Sequence, residues 1–152
     1  MSVYKILTDP NPVLRQKCAE VKRINAGVLR VLENMRDTMY FAEGIGLAAP
    51  QIGVSKRIIV VDPGDNYLEI INPVIVSREG EQNRSEGCLS VPGKVGWCNR
   101  AQKVRVTGLN ALGEDVDLEA EGLLALVLQH EIDHLDGILF PDKAVRMRND
   151  DF

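Results

Sequence analysis

The sequence predicts an α+β fold in which small, mostly antiparallel sheets pack around a central buried helix carrying a His-Glu-x-x-His motif. Three observations predict it. Residues 123–128 read Leu-Leu-Ala-Leu-Val-Leu, so a helix there is apolar on every side and buried all round. Val28, Leu32, Met35 and Met39 recur at helical spacing, which marks an earlier helix with one apolar stripe. Between these two helices, β-branched runs follow each other closely, which favours antiparallel pairing. The chain has 152 residues and no repeat, low-complexity linker or composition break. It reads as one domain over 1–152, large enough to bury a real core and without a long C-terminal extension.

Taken in order, Asn11-Pro12 reads as a helix cap followed by proline at the first helical position, and predicts a short helix to about Glu20. Residues 25–42 predict the striped helix, ended by Gly44. "GIGLAAPQ" (44–51) reads as an irregular turn of small residues. "RIIVVD" (57–62) predicts a strand, and "YLEIINPVIVS" (67–77) one or two more, with Pro73 limiting the hydrogen bonding there. The polar stretch 78–87 reads as a loop. Residues 103–109 and 114–120 predict a hairpin turning at Asn110 to Gly113. The last predicted element is the buried helix, from about Glu121 to Asp136, with Gly137 as its natural stop and Pro141 preventing continuation. Asp150 and Asp151 read as a solvated tail.

A hydrophobic fraction of 45% with 26% charged residues is that of an ordinary globular protein. The net charge of -4 argues against nucleic acid as a direct partner. No stretch approaches the ~18 apolar residues of a membrane span. The N-terminal residues lack an apolar signal core and the character of a transit peptide. A cytoplasmic location is expected, or an organelle if a transit segment has been removed. Three cysteines, Cys18, Cys88 and Cys98, cannot all pair, so thiols are expected instead of a disulfide framework.

The only two histidines, His130 and His134, are four residues apart near the end of the buried helix, with Glu131 directly after the first. That spacing puts both imidazoles on one face. His-Glu-x-x-His on a helix suits a metal site in which the glutamate serves as general base. Two satisfied core histidines are the plainer reading, but a buried carboxylate beside them demands a partner or a chemical reason. No glutamate or histidine follows His134, and the downstream carboxylates are only Asp136, Asp142, Asp150 and Asp151. Asp136 is too close to fold back and the last two lie in the tail, which moves attention upstream to the cysteines. Among the cysteines, Cys18 and Cys98 look like packing residues, in an amphipathic helix and beside Trp97. Cys88 lies in "SEGCLSVPG", after a glycine. A thiolate there could complete a Cys-His-His site with one position open for water.

"GIGLAAPQ" (44–51), "EGCLS" (86–90) and "QHEIDHLDG" (129–137) resemble, in order and spacing, the three signature motifs of the peptide deformylases. Alone, the first would read as a tight turn and the second as a buried cysteine; together they are specific. The resemblance runs from "ILTDPNPVLR" to "GILF". It implies a metal-dependent hydrolase that removes the N-formyl group from the formylmethionine of nascent peptides and releases formate, in that family's fold. It implies Cys88, His130 and His134 as metal ligands and Glu131 as the general acid and base. It implies Gln51 and the Leu89 N–H as donors to the developing oxyanion. Ile45, Gly46 and Gly87 are implied to pair with the substrate backbone, and Leu123, Leu126 and Val127 to wall the pocket for the methionine side chain. One divalent metal ion per chain is implied, Fe(II) natively, with Zn(II), Ni(II) and Co(II) also suited to a thiolate ligand.

The chain departs from the family in two places. Many members carry an arginine seven residues after the cysteine, where this sequence has Val95 after Lys94. Many also continue into a long C-terminal helix, whereas this chain stops at Phe152. No ribosome contact through such a helix is expected, and a monomer is. Two other readings compete: a general metallopeptidase, and a catalytically silent peptide-binding module stabilised by its metal.

Overall fold

The computed structural model describes residues 2–149. Its architecture is α+β, with a five-stranded and a three-stranded antiparallel sheet and a helix, α2, buried between packed layers. The elements run α1 (Ala26–Phe41), β1 (Gly46–Ala48), β2 (Ile58–Val61), β3 (Leu68–Glu79), β4 (Ser85–Cys88), β5 (Val91–Cys98), β6 (Lys103–Leu109), β7 (Asp115–Glu121), α2 (Gly122–Leu135), a single helical turn α3 (Phe140–Lys143) and β8 (Ala144–Asn149). The larger sheet has the order β1-β2-β3-β6-β7 and the smaller one β4-β5-β8. No described helix is long and apolar enough to cross a membrane.

The strand "IIVV" is apolar throughout because both of its faces are covered. Ile59 and Val61 enter a cluster with Leu126, Val127, Leu128 and Ile132 of α2. Ile58 and Val60 enter a second cluster with Leu32, Met35 and Met39 of α1. Each such side chain contributes about 1.5–3 kcal/mol on burial. α1 starts where the Asn25 side chain caps it, accepting a hydrogen bond from the Val28 N–H at 3.0 Å. The β6–β7 hairpin also follows its turn chemistry: the Asn110 side chain accepts from the N–H groups of Leu112 and Glu114.

Three local expectations are corrected. The N-terminal helix expected to reach Glu20 is only a 3-10 turn, Pro12–Arg15. Beyond it the backbone finds partners elsewhere: the Cys18 N–H donates to Leu135 O at 2.8 Å, and Ala19 pairs with Ser55 and Arg57. "GIGLAAPQ" is more regular than a turn, since Gly46–Ala48 pairs with β2 before a 3-10 turn over Ala49–Ile52. The polar stretch 78–87 is not all loop. It contains the end of β3 and most of β4, polar because most of its side chains face solvent. Residues 68–77 fall within a single strand, β3, and Pro73 limits its pairing as expected: the register shifts between Ile71 and Val74. Neighbouring Asn72, at φ 54°, uses its side chain to clasp the backbone of Val21.

Past Gly137, where no element is expected, α3 and β8 complete the smaller sheet over a third cluster of Val91, Cys98, Leu139 and Phe140. Cys18 and Cys98 are both buried, as packing residues should be, although Cys18 lies in extended chain and not in a helix. Asp150 and Asp151 lie outside the described residues.

Candidate active site

Two strands have an unpaired edge beside one cleft. β1 ends the larger sheet and β4 ends the smaller one. α2 forms the floor between them. The cleft holds about 390 Å³ and is lined by Ile45, Gly46, Gln51, Gly87, Cys88, Leu89, Leu123, Leu126, Val127, His130 and Glu131. All the residues singled out from the sequence therefore meet here except His134, which lies one helical turn deeper and is 1% exposed. The three motifs, far apart in the chain, converge because α2 packs against β1 and faces β4.

Cys88 Sγ lies 3.3 Å from His134 Nε2, and the donor atoms of Cys88, His130 and His134 all fall within 4.8 Å of one another. No other such cluster of three metal-binding side chains occurs among the described residues. His130 contacts Glu86 Oε1 through Nδ1 at 2.8 Å. Its Nε2 is left for a metal, and the carboxylate fixes the ring. Glu86 is in turn held by Arg100, whose Nη2 and Nε donate to its two oxygens at 2.7 and 3.2 Å. Arg100 Nη1 also donates to Asp133 at 2.7 Å. Gln129 ties α2 to Ala101 through both ends of its amide.

Burial pushes the Glu131 carboxyl up to about 7, close to the value that best suits a proton carrier at neutral pH. Its Oε1 is buried without a hydrogen-bond partner, an arrangement that costs stability and calls for a chemical reason. Burial pushes His134 well below the usual imidazole range, which keeps it neutral as a ligand must be. Burial also disfavours charge on His130, but its contacts with Cys88 and Glu86 outweigh this and raise it to about 10. A cation bound at the thiolate and at the free imidazole nitrogens takes the place of protons there. Soft sulfur, two imidazoles and a nearby unpartnered carboxylate thus fit a transition-metal ion with one open position.

Sequence reasoning missed Glu86, Arg100 and Ser90. Glu86 carried a usable signal: in "EGCLS" it precedes the candidate ligand by two residues, and in a strand such residues share a face. Ser90, fully buried beside Gln51, and Arg100 carried none. Val95, where a cation was noted as missing, lies on β5 opposite Arg148 and does not line the cleft.

The polypeptide deformylase family model matches residues 3–150. A peptide deformylase from Syntrophomonas wolfei subsp. wolfei is 65% identical over 148 residues, 97% of each chain. The crystal structure of peptide deformylase from Thermotoga maritima superposes with a TM-score of 0.93 at 37% identity, covering 96% of this chain and 100% of that one. That of a peptide deformylase from Synechococcus elongatus in complex with actinonin superposes with a TM-score of 0.91 at 40% identity, covering 94% and 79%. The likeness thus spans the sheets and the helix that build the cleft as well as the motifs lining it, and the chain belongs to the polypeptide deformylase family.

Proposed function

We propose that Cys88, His130 and His134 hold one divalent metal ion beside Glu131 and Gln51, and that this assembly performs the reaction of the chain's family. That reaction removes the N-formyl group from the formylmethionine of nascent peptides and releases formate. The observation that carries the assignment is the Cys88–His130–His134 cluster with the unpartnered Glu131 carboxylate in the same cleft. When bound, the metal lowers the pKa of a coordinated water and polarises the formyl carbonyl. Its thiolate ligand suits Fe(II), the proposed native metal, as well as Zn(II), Ni(II) or Co(II).

The chain's own residues do the rest. Glu131 accepts the proton of the attacking water and returns it to the leaving amine as the C–N bond breaks. A pKa near 7 lets one carboxyl play both parts. The Gln51 Nε2–H and the Leu89 N–H donate to the formyl oxygen as charge develops there; one such donor is worth about 3 kcal/mol. The free edges of β1 and β4 support pairing of an extended peptide with the backbone of Ile45, Gly46 and Gly87. Leu123, Leu126 and Val127 offer an apolar wall suited to an unbranched methionine side chain.

We also place this activity in a single catalytic domain over 1–152, working as a monomer in the cytoplasm where nascent chains emerge. Formate release from formyl-Met-Ala-Ser by anaerobically prepared protein tests the reading. Internal cleavage of the unformylated peptide would favour a general metallopeptidase, and metal binding without either activity a silent binding module.

A further inference from the structure

Gln51 is 1% exposed, and its amide is held at both ends. Its Oε1 accepts from the Ala48 N–H at 2.9 Å. Its Nε2 donates to Ser90 Oγ at 3.0 Å and lies 3.7 Å from Cys88 Sγ. Ser90 is completely buried. Its hydroxyl donates to Leu7 O at 2.6 Å, and its N–H approaches Cys88 Sγ at 3.4 Å. A hydroxyl has one proton, and a backbone carbonyl can only accept. With that proton committed to Leu7, Ser90 Oγ can only accept from Gln51. One Gln51 N–H is thereby fixed on Ser90 Oγ, and the other faces Cys88 Sγ, at the wall of the cleft that Gln51 and Cys88 both line.

The partner of Ser90 is itself braced. The Leu7 N–H donates to Gln51 O and the Asp9 N–H to Ser90 O, both at 2.8 Å. The extended segment 7–9 therefore stitches the 3-10 turn that carries Gln51 to the β4–β5 turn that carries Leu89 and Ser90. Those turns belong to different sheets. They are also the turns that carry the two proposed oxyanion donors.

We infer that Ser90 is a positioning residue for the deformylation reaction: anchored to the Leu7 carbonyl, it sets the orientation of the Gln51 amide and holds one half of the oxyanion site in register with the other. This rests on the reading of Gln51 as an oxyanion donor. Misplacing a reacting group by about 1 Å typically costs ~100-fold in rate, so Ser90→Ala is expected to lower kcat about 10- to 100-fold with a much smaller change in KM.

The test is a double-mutant cycle on the metal-loaded, full-length protein with formyl-Met-Ala-Ser, comparing wild type, Ser90→Ala, Gln51→Ala and the double variant. Metal content and thermal midpoint are measured for each. If Ser90 acts through Gln51, its substitution costs less than about 3-fold once Gln51 is already alanine, a non-additivity expected of groups that act as a unit. An equal loss in both backgrounds, or a loss that tracks metal content, overturns the role. Wild-type kcat in Gln51→Ala would instead sink the oxyanion reading, and the inference with it. Ser90→Gly, which also removes the hydroxyl, carries the identical cycle if the alanine variant does not fold.

Discussion

Glu131 is the residue on which the proposed chemistry turns. A carboxylate on a buried helix, 4% exposed and with one oxygen unpartnered, has no structural justification. Glu131→Gln keeps its size but cannot take a proton. The three proposed ligands are untouched, so metal content is expected to stay near one per chain while kcat falls at least ~100-fold. A hydroxamate inhibitor, anchored on the metal, is expected to bind still. Retention of most of the activity, with host enzyme excluded, would remove Glu131 from the mechanism. Gly46 is its close neighbour. A Cβ there would sit 2.5 Å from Glu131 Oε2 and 2.9 Å from Val127 Cγ1. Gly46→Ala is therefore expected to displace the carboxylate and cost on the order of 100-fold in kcat, with metal content unchanged and some loss of thermal midpoint from overpacking against Val127. A variant that turns over like wild type would show that Glu131 has slack to move.

At the scale of elements, the position of α2 decides the site, and its C-terminal end is clamped by contact with the N-terminal segment. The Cys18 N–H donates to Leu135 O, and Arg57 Nη1 donates to the same carbonyl at 3.0 Å. Gly137, at φ 75°, passes so close to this segment that a Cβ would lie 2.5 Å from Arg15 O. Glycine is required here twice over, for the left-handed backbone and for the space. Gly137→Ala combines left-handed strain of about 1–2 kcal/mol with overpacking of about 1–3 kcal/mol. The urea midpoint at saturating metal is expected to fall accordingly. An unchanged midpoint would mean that the segment around Arg15 yields freely and does not clamp the helix. The same contact explains why the first segment is not the helix its Asn-Pro start suggests. Its backbone groups are taken by α2 and by the chain around Ser55 to Arg57, and a tertiary partner outcompetes a weak local propensity.

For the molecule as a whole, the proposed metal site is also a cross-link. Cys88 comes from the small sheet, His130 and His134 from the helix packed on the large one. An ion that binds only the folded arrangement stabilises it by mass action. Chelation is expected to lower the thermal midpoint of the wild type and to leave that of Cys88→Ala nearly unmoved. Equal shifts in the two proteins would place the stabilising ion elsewhere. Much of this could be read in the one-dimensional sequence because it depends on local periodicity. The all-round apolar run of α2, the stripe of α1, the turn chemistry of the β6–β7 hairpin and the four-residue step between the histidines each follow from neighbours in the chain. So do the three motifs that carry the family resemblance. The sequence by itself therefore determined the fold class, the buried helix and the candidate residues of the site. Only the tertiary structure decided what fixes those groups in place. Glu86 meets His130 across 44 positions and Ser90 meets Leu7 across 83. No periodicity connects residues so far apart. Their pairing arises because two sheets and an extended N-terminal segment close around one helix, where buried polar groups must find partners and chain distance carries no information about which ones they find.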